Sequence, residues 1–416
     1  MGPKLLAPSK IRFDRCGLRQ LAGLSILLLM ACQSGSQPKA GSVVVKQPNT
    51  VRIATFNASL NRAKLGQLAD DLSSDSNSQA KKIAEIIQRT RPDILALQEF
   101  DFDAAGRSVS GFLKNYLAVS QNGADPIDYG HVYQPTVNTG RPTGLDLNRD
   151  GTTNSPSDAH GYGQFEGQYG FVILSKHPIE MKSIRTFQSF LWTQMPNAKL
   201  PMLDATTPYY NKAALNTLRL SSKNHVDATV LVGPSRIHLL VSHPTPPVFD
   251  GPENRNGLRN HDEIRFWSDY ITASRSQYIV DDNGMRGGMA LYEKFVVLGD
   301  LNADPVDGDG IQSGILDLLG HKRVHKETAQ GRLVPSSRGG ATQDSKAKTQ
   351  KGNPAYDTAS WGLRVDYVLP SAGLSVERSG VFWPELGAPH RALVSGSDGQ
   401  RQPSDHRLVW VDIRID

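Results

Sequence analysis

Eight polar residues stand at or beside the ends of apolar runs in this sequence: Asn57, Glu99, His243, Asp300, Asn302, Asp366, Asp405 and His406. Each is ordinary alone. Asp and Asn cap turns well, so "GDLN" (299–302) could be a plain turn, and a His before Pro244 could simply shape one. Glu99 is harder to dismiss. It follows "ILALQ", and a charge rarely ends a buried run without a partner. If all eight meet on one edge of a sandwich, they form an acidic cleft with two histidines. Carboxylate and amide oxygens suit a hard divalent cation, and Mg²⁺ is usually held by one or two carboxylates plus water and substrate phosphate. Glu99 is then the best direct ligand, Asn57 an oxygen ligand or orienter beside it, and Asp405 a ligand to the same or a second ion. Asp366 and His406 suit an orienting pair: a carboxylate on one imidazole nitrogen fixes the tautomer and makes the other more basic.

The elements that must position these groups follow from periodicity. "TVRIATFNASL" (50–60) alternates Val51, Ile53 and Thr55 as a strand does. "SQAKKIAEIIQRTRPD" spaces Ile83, Ile86 and Ile87 as on a helix, and Pro92 stops it. Further strands are expected at 93–100, 170–179, 225–232, 236–247, 295–298, 364–370 and the C-terminus, and helices near 262–278 and 312–319. Strands dominate and helices intervene irregularly. That pattern favours an α/β sandwich of mixed, mainly antiparallel sheets over a strictly alternating barrel. Three polar, Gly-rich stretches, about 103–165, 186–216 and 322–360, read as insertions, the last containing a mobile surface loop.

At this point the motifs resemble a known family. "ATFN", "DILALQE", "GFVILSKHPI", "VSHPTPP", "VVLGDLNADP", "RVDYVLP" and "SDHRLV" are similar, in order and over residues 50–416, to the successive motifs of the endonuclease/exonuclease/phosphatase superfamily, the deoxyribonuclease-I-like fold. The resemblance implies a four-layer α/β/β/α sandwich and magnesium-dependent phosphoester hydrolysis, with Mn²⁺ as a possible substitute. It implies that Asp300 aligns or deprotonates the attacking water and that Asn302 donates to a phosphate oxygen. It implies that His406 acts as base or charge stabiliser, and that His243 occupies the nuclease branch's phosphate-binding position. The carboxylate partner of His243 is open, with Glu166 a candidate. Lys223 and His225 could touch a phosphate, as could Arg219, Arg259 or His261; a solvated loop or surface ion pairs explain them as well. "DLNRDG" offers Asp146, Asn148 and Asp150 as a structural calcium site or an Asp/Asn turn, since Ser157 stands where a bidentate Glu is needed.

The N-terminus reads as an address. Lys4, Lys10, Arg12, Arg15 and Arg19 precede a ten-residue apolar stretch, Leu21 to Met30, too short for a permanent bilayer span. It ends in "LMAC", resembling a lipobox, with Met30 unusual at its position. Residues 1–31 are expected to be a removed signal peptide, Cys32 the lipidated residue, 32–49 a flexible linker and 50–416 the catalytic domain. Cys16 and Cys32 are the only cysteines, so the mature domain has no disulfide despite an oxidising setting. The first 31 residues contribute +4 of the formal +5, so net charge does not argue for nucleic acid. The expectation is a monomeric phosphodiesterase or nuclease, lipid-anchored in a bacterial envelope. A phosphomonoesterase on organic phosphates such as inositol phosphates, and a non-catalytic surface binding protein, are the alternatives.

Overall fold

A computed structural model describes residues 46–343, 350–396 and 402–415. The expected signal peptide, Cys32 and most of the linker lie outside these residues, as does part of the 322–360 stretch.

Among the described residues, eleven strands build two sheets: β1 (Thr50–Leu60), β2 (Ile94–Phe100), β3 (His131–Tyr133), β4 (Phe171–Ser175), β5 (Arg185–Thr186), β6 (His225–Val232), β7 (Ser235–Ser242), β8 (Lys294–Asp300), β9 (Asp366–Pro370), β10 (Val376–Val381) and β11 (Val409–Arg414). One sheet runs β10-β11-β1-β2-β4-β3 and the other β5-β6-β7-β8-β9. Neighbours are antiparallel except β1/β2 and β7/β8. Parallel pairs need a crossover. The helices Ser78–Thr90 and Arg255–Tyr270 lie in those two connections.

The helix Ser78–Thr90 starts where Asn77 accepts the Ala80 N–H and ends at Arg91, whose φ of 57° turns the chain before Pro92. Its Ile83, Ile86 and Ile87 join the first core. That core also takes Ile53, Leu95 and Val411 from one sheet and Val226, Val296, Leu298 and Val368 from the other. On β8 the alternate residues Phe295 and Val297 face a second core with Ile264, Trp267, Ile315 and Leu318 of the helices Arg255–Tyr270 and Gln312–Leu319. The layers are therefore helix, sheet, sheet, helix, as the resemblance implied. β1 is buried along nearly its whole length rather than on one face, because the first sheet is covered on both sides.

The insertions behave differently from their polar composition. Phe187, Phe190, Trp192, Met195, Tyr209 and Tyr210 from 186–216 are buried in the second core. Val109, Phe112, Tyr116, Ile127 and Tyr129 from 103–165 are buried in the first. A few large apolar side chains per stretch suffice to dock an otherwise polar segment. The helix expected near 262–278 runs instead from Arg255 to Tyr270.

Candidate active site

The end of β8 is shaped by Gly299. Its φ is +146°, and a Cβ there would lie 2.0 Å from the Ser242 carbonyl oxygen. Only glycine lets β8 approach β7 this closely and still turn Asp300 into the cleft. Asp300 is paired in register with Asp366 at the start of β9. Around Asp300 the predicted groups converge. Asn57 Nδ2 donates to Asp300 Oδ2 at 3.0 Å, with His243 Nε2 at 3.4 Å and His406 Nε2 at 3.6 Å from the same oxygen. The Asn302 N–H donates to Oδ1 at 2.9 Å. His406 Nδ1 lies 2.9 Å from Asp366 Oδ2, so the orienting pair is formed. Ser404 fixes the last motif by donating to the Asn57 carbonyl at 2.7 Å, and Ser59 Oγ donates to Asp405 at 3.0 Å.

Ser59 (φ 49°), Glu99 (φ 53°) and Asn302 (φ 52°) of the site sit in the left-handed region. Asn tolerates this conformation; for Glu99 it is local strain, which accumulates at functional sites.

Electrostatics divides the labour. Burial raises Asp300 to about 7, against the pull of His406 and Asn57. Burial alone would lower His406, but Asp366 and Asp300 outweigh it and hold the ring up at about 10. His406 is thus a cation at neutral pH. His243 is held well below the ordinary imidazole value by burial, then by Lys223 and His406, and is neutral. Glu99 is raised chiefly by burial, with His406 and Asn57 opposing.

The sequence model of the Endonuclease/Exonuclease/phosphatase family matches residues 54–406. The chain belongs to this family. The family includes nucleases, phosphodiesterases and phosphatases. Similar solved structures include an endonuclease/exonuclease/phosphatase from Beutenbergia cavernae (15% identity, 88% of this chain and 72% of that one, TM-score 0.46). A family protein from Leptotrichia buccalis is 14% identical over 88% of this chain and 100% of that one, with TM-score 0.44. Sphingomyelinase C from Streptomyces griseocarneus is 15% identical over 87% and 99%, with TM-score 0.42. No curated protein sequence matches the chain.

Enzymes of this family are typically dependent on a divalent metal, and the donor set fits one. Glu99 and Asp405 line a cleft of about 1670 Å³ together with Lys223, His243, Asp300, Asn302 and His406. Glu99 is half-buried at the cleft wall. Asn57 is fully buried, its Oδ1 taking the Ser59 N–H and its amide donating to Asp300, and its side chain opposes the rise of the Glu99 carboxyl. It therefore orients Asp300. A separate cluster of Asp300, Asp366 and His406 has ligand atoms within 4.8 Å of one another. There the imidazole and carboxylate already hydrogen-bond, which suits proton control.

Other expectations fall elsewhere in this member of the family. His225 is core: its ring nitrogens lie 3.0 Å from Ser221 Oγ and 2.8 Å from the Glu263 carbonyl, and it packs on Phe266 and Trp267. Glu166 pairs with exposed Arg141 rather than His243, whose nearest carboxylate is Asp300. His261 hydrogen-bonds Asp262, Arg219 donates to Asn138, and Arg259 does line the cleft. In the 146–151 loop, Asp146 takes the N–H groups of Asp150 and Gly151 while Asn148 donates to Asp150. That arrangement is an Asp/Asn turn, one of the two readings the sequence offered. Sequence reasoning missed Ser59 and Trp361. The Trp361 ring stands edge-on to His406 at 5.0 Å. "SWGLRVDY" held a signal, an exposed aromatic five residues before the orienting Asp366.

Proposed function

We propose that this protein is a Mg²⁺-dependent phosphodiesterase of the endonuclease type, with Mn²⁺ able to substitute, acting as a monomer. The carrying observation is the single carboxylate Asp300 with Asn57, His243 and His406 around one oxygen, in a cleft that also presents Glu99 and Asp405.

Glu99 and Asp405 would hold the cation, which when bound polarises the phosphoryl oxygen and stabilises the leaving alkoxide. Asp300 would take the proton of the attacking water; a carboxylate raised to about 7 is a better base near neutrality than an ordinary one. Protonated His406, fixed by Asp366, and Lys223 offer positive charge to the phosphoryl oxygens. Asn302 donates one amide hydrogen to the Pro244 carbonyl at 3.1 Å, which fixes the side chain at the cleft wall with its other hydrogen free for phosphate. A cleft of about 1670 Å³ whose lining includes Lys82, Lys223 and Arg259, with Arg62 and Arg255 paired to Asp71 and Glu253, supports a large anionic substrate such as nucleic acid over a small monoester. The N-terminal motif and Cys32 support anchoring at a bacterial envelope; no described helix is long and apolar enough to cross a membrane.

The test is turnover of plasmid DNA, bis-p-nitrophenyl phosphate and p-nitrophenyl phosphate by the purified chain with Mg²⁺. Diester cleavage lost in His406→Ala supports the reading. Monoester-only turnover supports phosphatase chemistry, and no turnover of any substrate overturns catalysis.

A further inference from the structure

The helix Arg255–Tyr270 backs the cleft with a polar series that a surface helix would turn to water. Asn260, Glu263 and Trp267 stand at i, i+3 and i+7, and all three are fully buried. Asn260 donates to the carbonyls of Thr245 and Leu301 at 2.8 and 3.0 Å. Trp267 donates to Ser242 Oγ at 2.9 Å. Glu263 lies between them. Its Oε1 accepts the Ser222 N–H at 2.7 Å and the Ser222 hydroxyl at 3.0 Å, and its Oε2 accepts the Thr245 N–H at 2.6 Å. One carboxylate thereby ties two chain segments together. The first reaches Lys223 in the next residue; the second lies two residues past His243. Among the carboxylates whose charge offsets the buried Lys223 ammonium, Glu263 comes first, ahead of Glu99 and Asp300.

We propose that Glu263 is a positioning residue for the reaction. It holds Lys223 and His243 at a fixed separation on the phosphate-binding side of the cleft while touching neither phosphate nor metal. The inference rests on the phosphodiesterase reading. Its physical ground is that burying a carboxylate is costly unless its lone pairs are met and its charge is answered. Here three donors meet the lone pairs and Lys223 answers the charge, and those donors belong to the segments that deliver the phosphate-side groups. The adjacent Asp262 makes the comparison clean. It is also fully buried and also accepts a backbone N–H, but it faces Trp192 and Lys199, away from the cleft.

The experiment compares Glu263→Gln with Asp262→Asn. Binding of inorganic phosphate and of Mg²⁺ is measured by calorimetry, KM and kcat on bis-p-nitrophenyl phosphate, and melting temperature by circular dichroism. Glu263→Gln is expected to weaken phosphate binding at least tenfold and to raise KM more than it lowers kcat, with Mg²⁺ affinity within twofold. Asp262→Asn is expected to lower the melting temperature comparably and leave phosphate affinity within twofold. Adding Lys223→Ala to Glu263→Gln should cost less than Lys223→Ala alone. A folded Glu263→Gln protein with wild-type phosphate affinity overturns the proposal, as does equal phosphate weakening by Asp262→Asn or full additivity with Lys223→Ala. If Glu263→Gln does not fold, Ser222→Ala replaces it: a two- to threefold loss of phosphate affinity supports the proposal, and no loss overturns it. A wild-type chain that neither binds phosphate nor cleaves a diester overturns the functional reading instead.

Discussion

Asp300 and His406, a few ångströms apart, are both raised but for different reasons, burial for the carboxylate and neighbouring carboxylates for the imidazole, and their pH behaviour follows. His406 is held at about 10 in the folded chain against an ordinary value of 6.5. A histidine raised on folding contributes stability that is fully present below the unfolded value and is lost as pH rises through the folded one. Asp366→Asn removes the foremost support. The variant is expected to be less stable than wild type at pH 6, with the gap closing as pH approaches 10, as denaturant titrations at several pH values would show. The alkaline limb of kcat/KM should move to lower pH in the same variant, because its imidazolium deprotonates sooner. His406→Ala is expected to lower kcat by roughly 10²–10³-fold with a smaller change in KM, the pattern for a charge realised in the transition state; steady-state kinetics reads this directly.

At the scale of elements, the strand ends are placed by contacts that tolerate little change. Gly299 is pinned by the Ser242 carbonyl as well as by its φ. Gly299→Ala is expected to cost about 2–3 kcal/mol from strain alone. It should lower kcat by ~10²-fold as Asp300 shifts by the order of 1 Å, measurable by thermal unfolding and kinetics together. β1 and β11 are locked by a different device. Arg52 and Asp412 are register partners, both fully buried, joined by two hydrogen bonds of 2.7 and 2.8 Å, and Arg52 also lies over the Trp410 ring. Asp412→Ala removes the carboxylate that accepts two hydrogen bonds from a buried guanidinium and should destabilise by ~3–5 kcal/mol, read from the urea midpoint. Much of this layout was legible beforehand, because apolar runs of strand length bounded by turns announce themselves. The docking of 103–165 and 186–216 was not. Their aromatic residues are scattered among Gly, Asn and Asp at no fixed period, so no window shows a buried face.

At the scale of the molecule, two apolar cores stand on either side of the second sheet, and neither depends on a metal. Chelation by EDTA is therefore expected to abolish turnover while moving the melting temperature by only a few degrees, with Mg²⁺ restoring activity; a collapse of the fold on chelation would contradict this. What the sequence determined by itself was the list of chemical groups: carboxylates, amides and imidazoles at strand ends in a family's order. These are local signals, each written within a few residues. The tertiary structure decided which of them share an oxygen. Asn57 and Asp300 are 243 positions apart and His406 and Asp366 are 40 apart, and only the facing of two sheets brings them within 3 Å. It also decided that His225 belongs to the core and that Glu263, in a helix that reads as solvated, is buried behind the cleft. Helical periodicity tells which residues share a face, but not what that face meets, and the meeting fixes the chemistry.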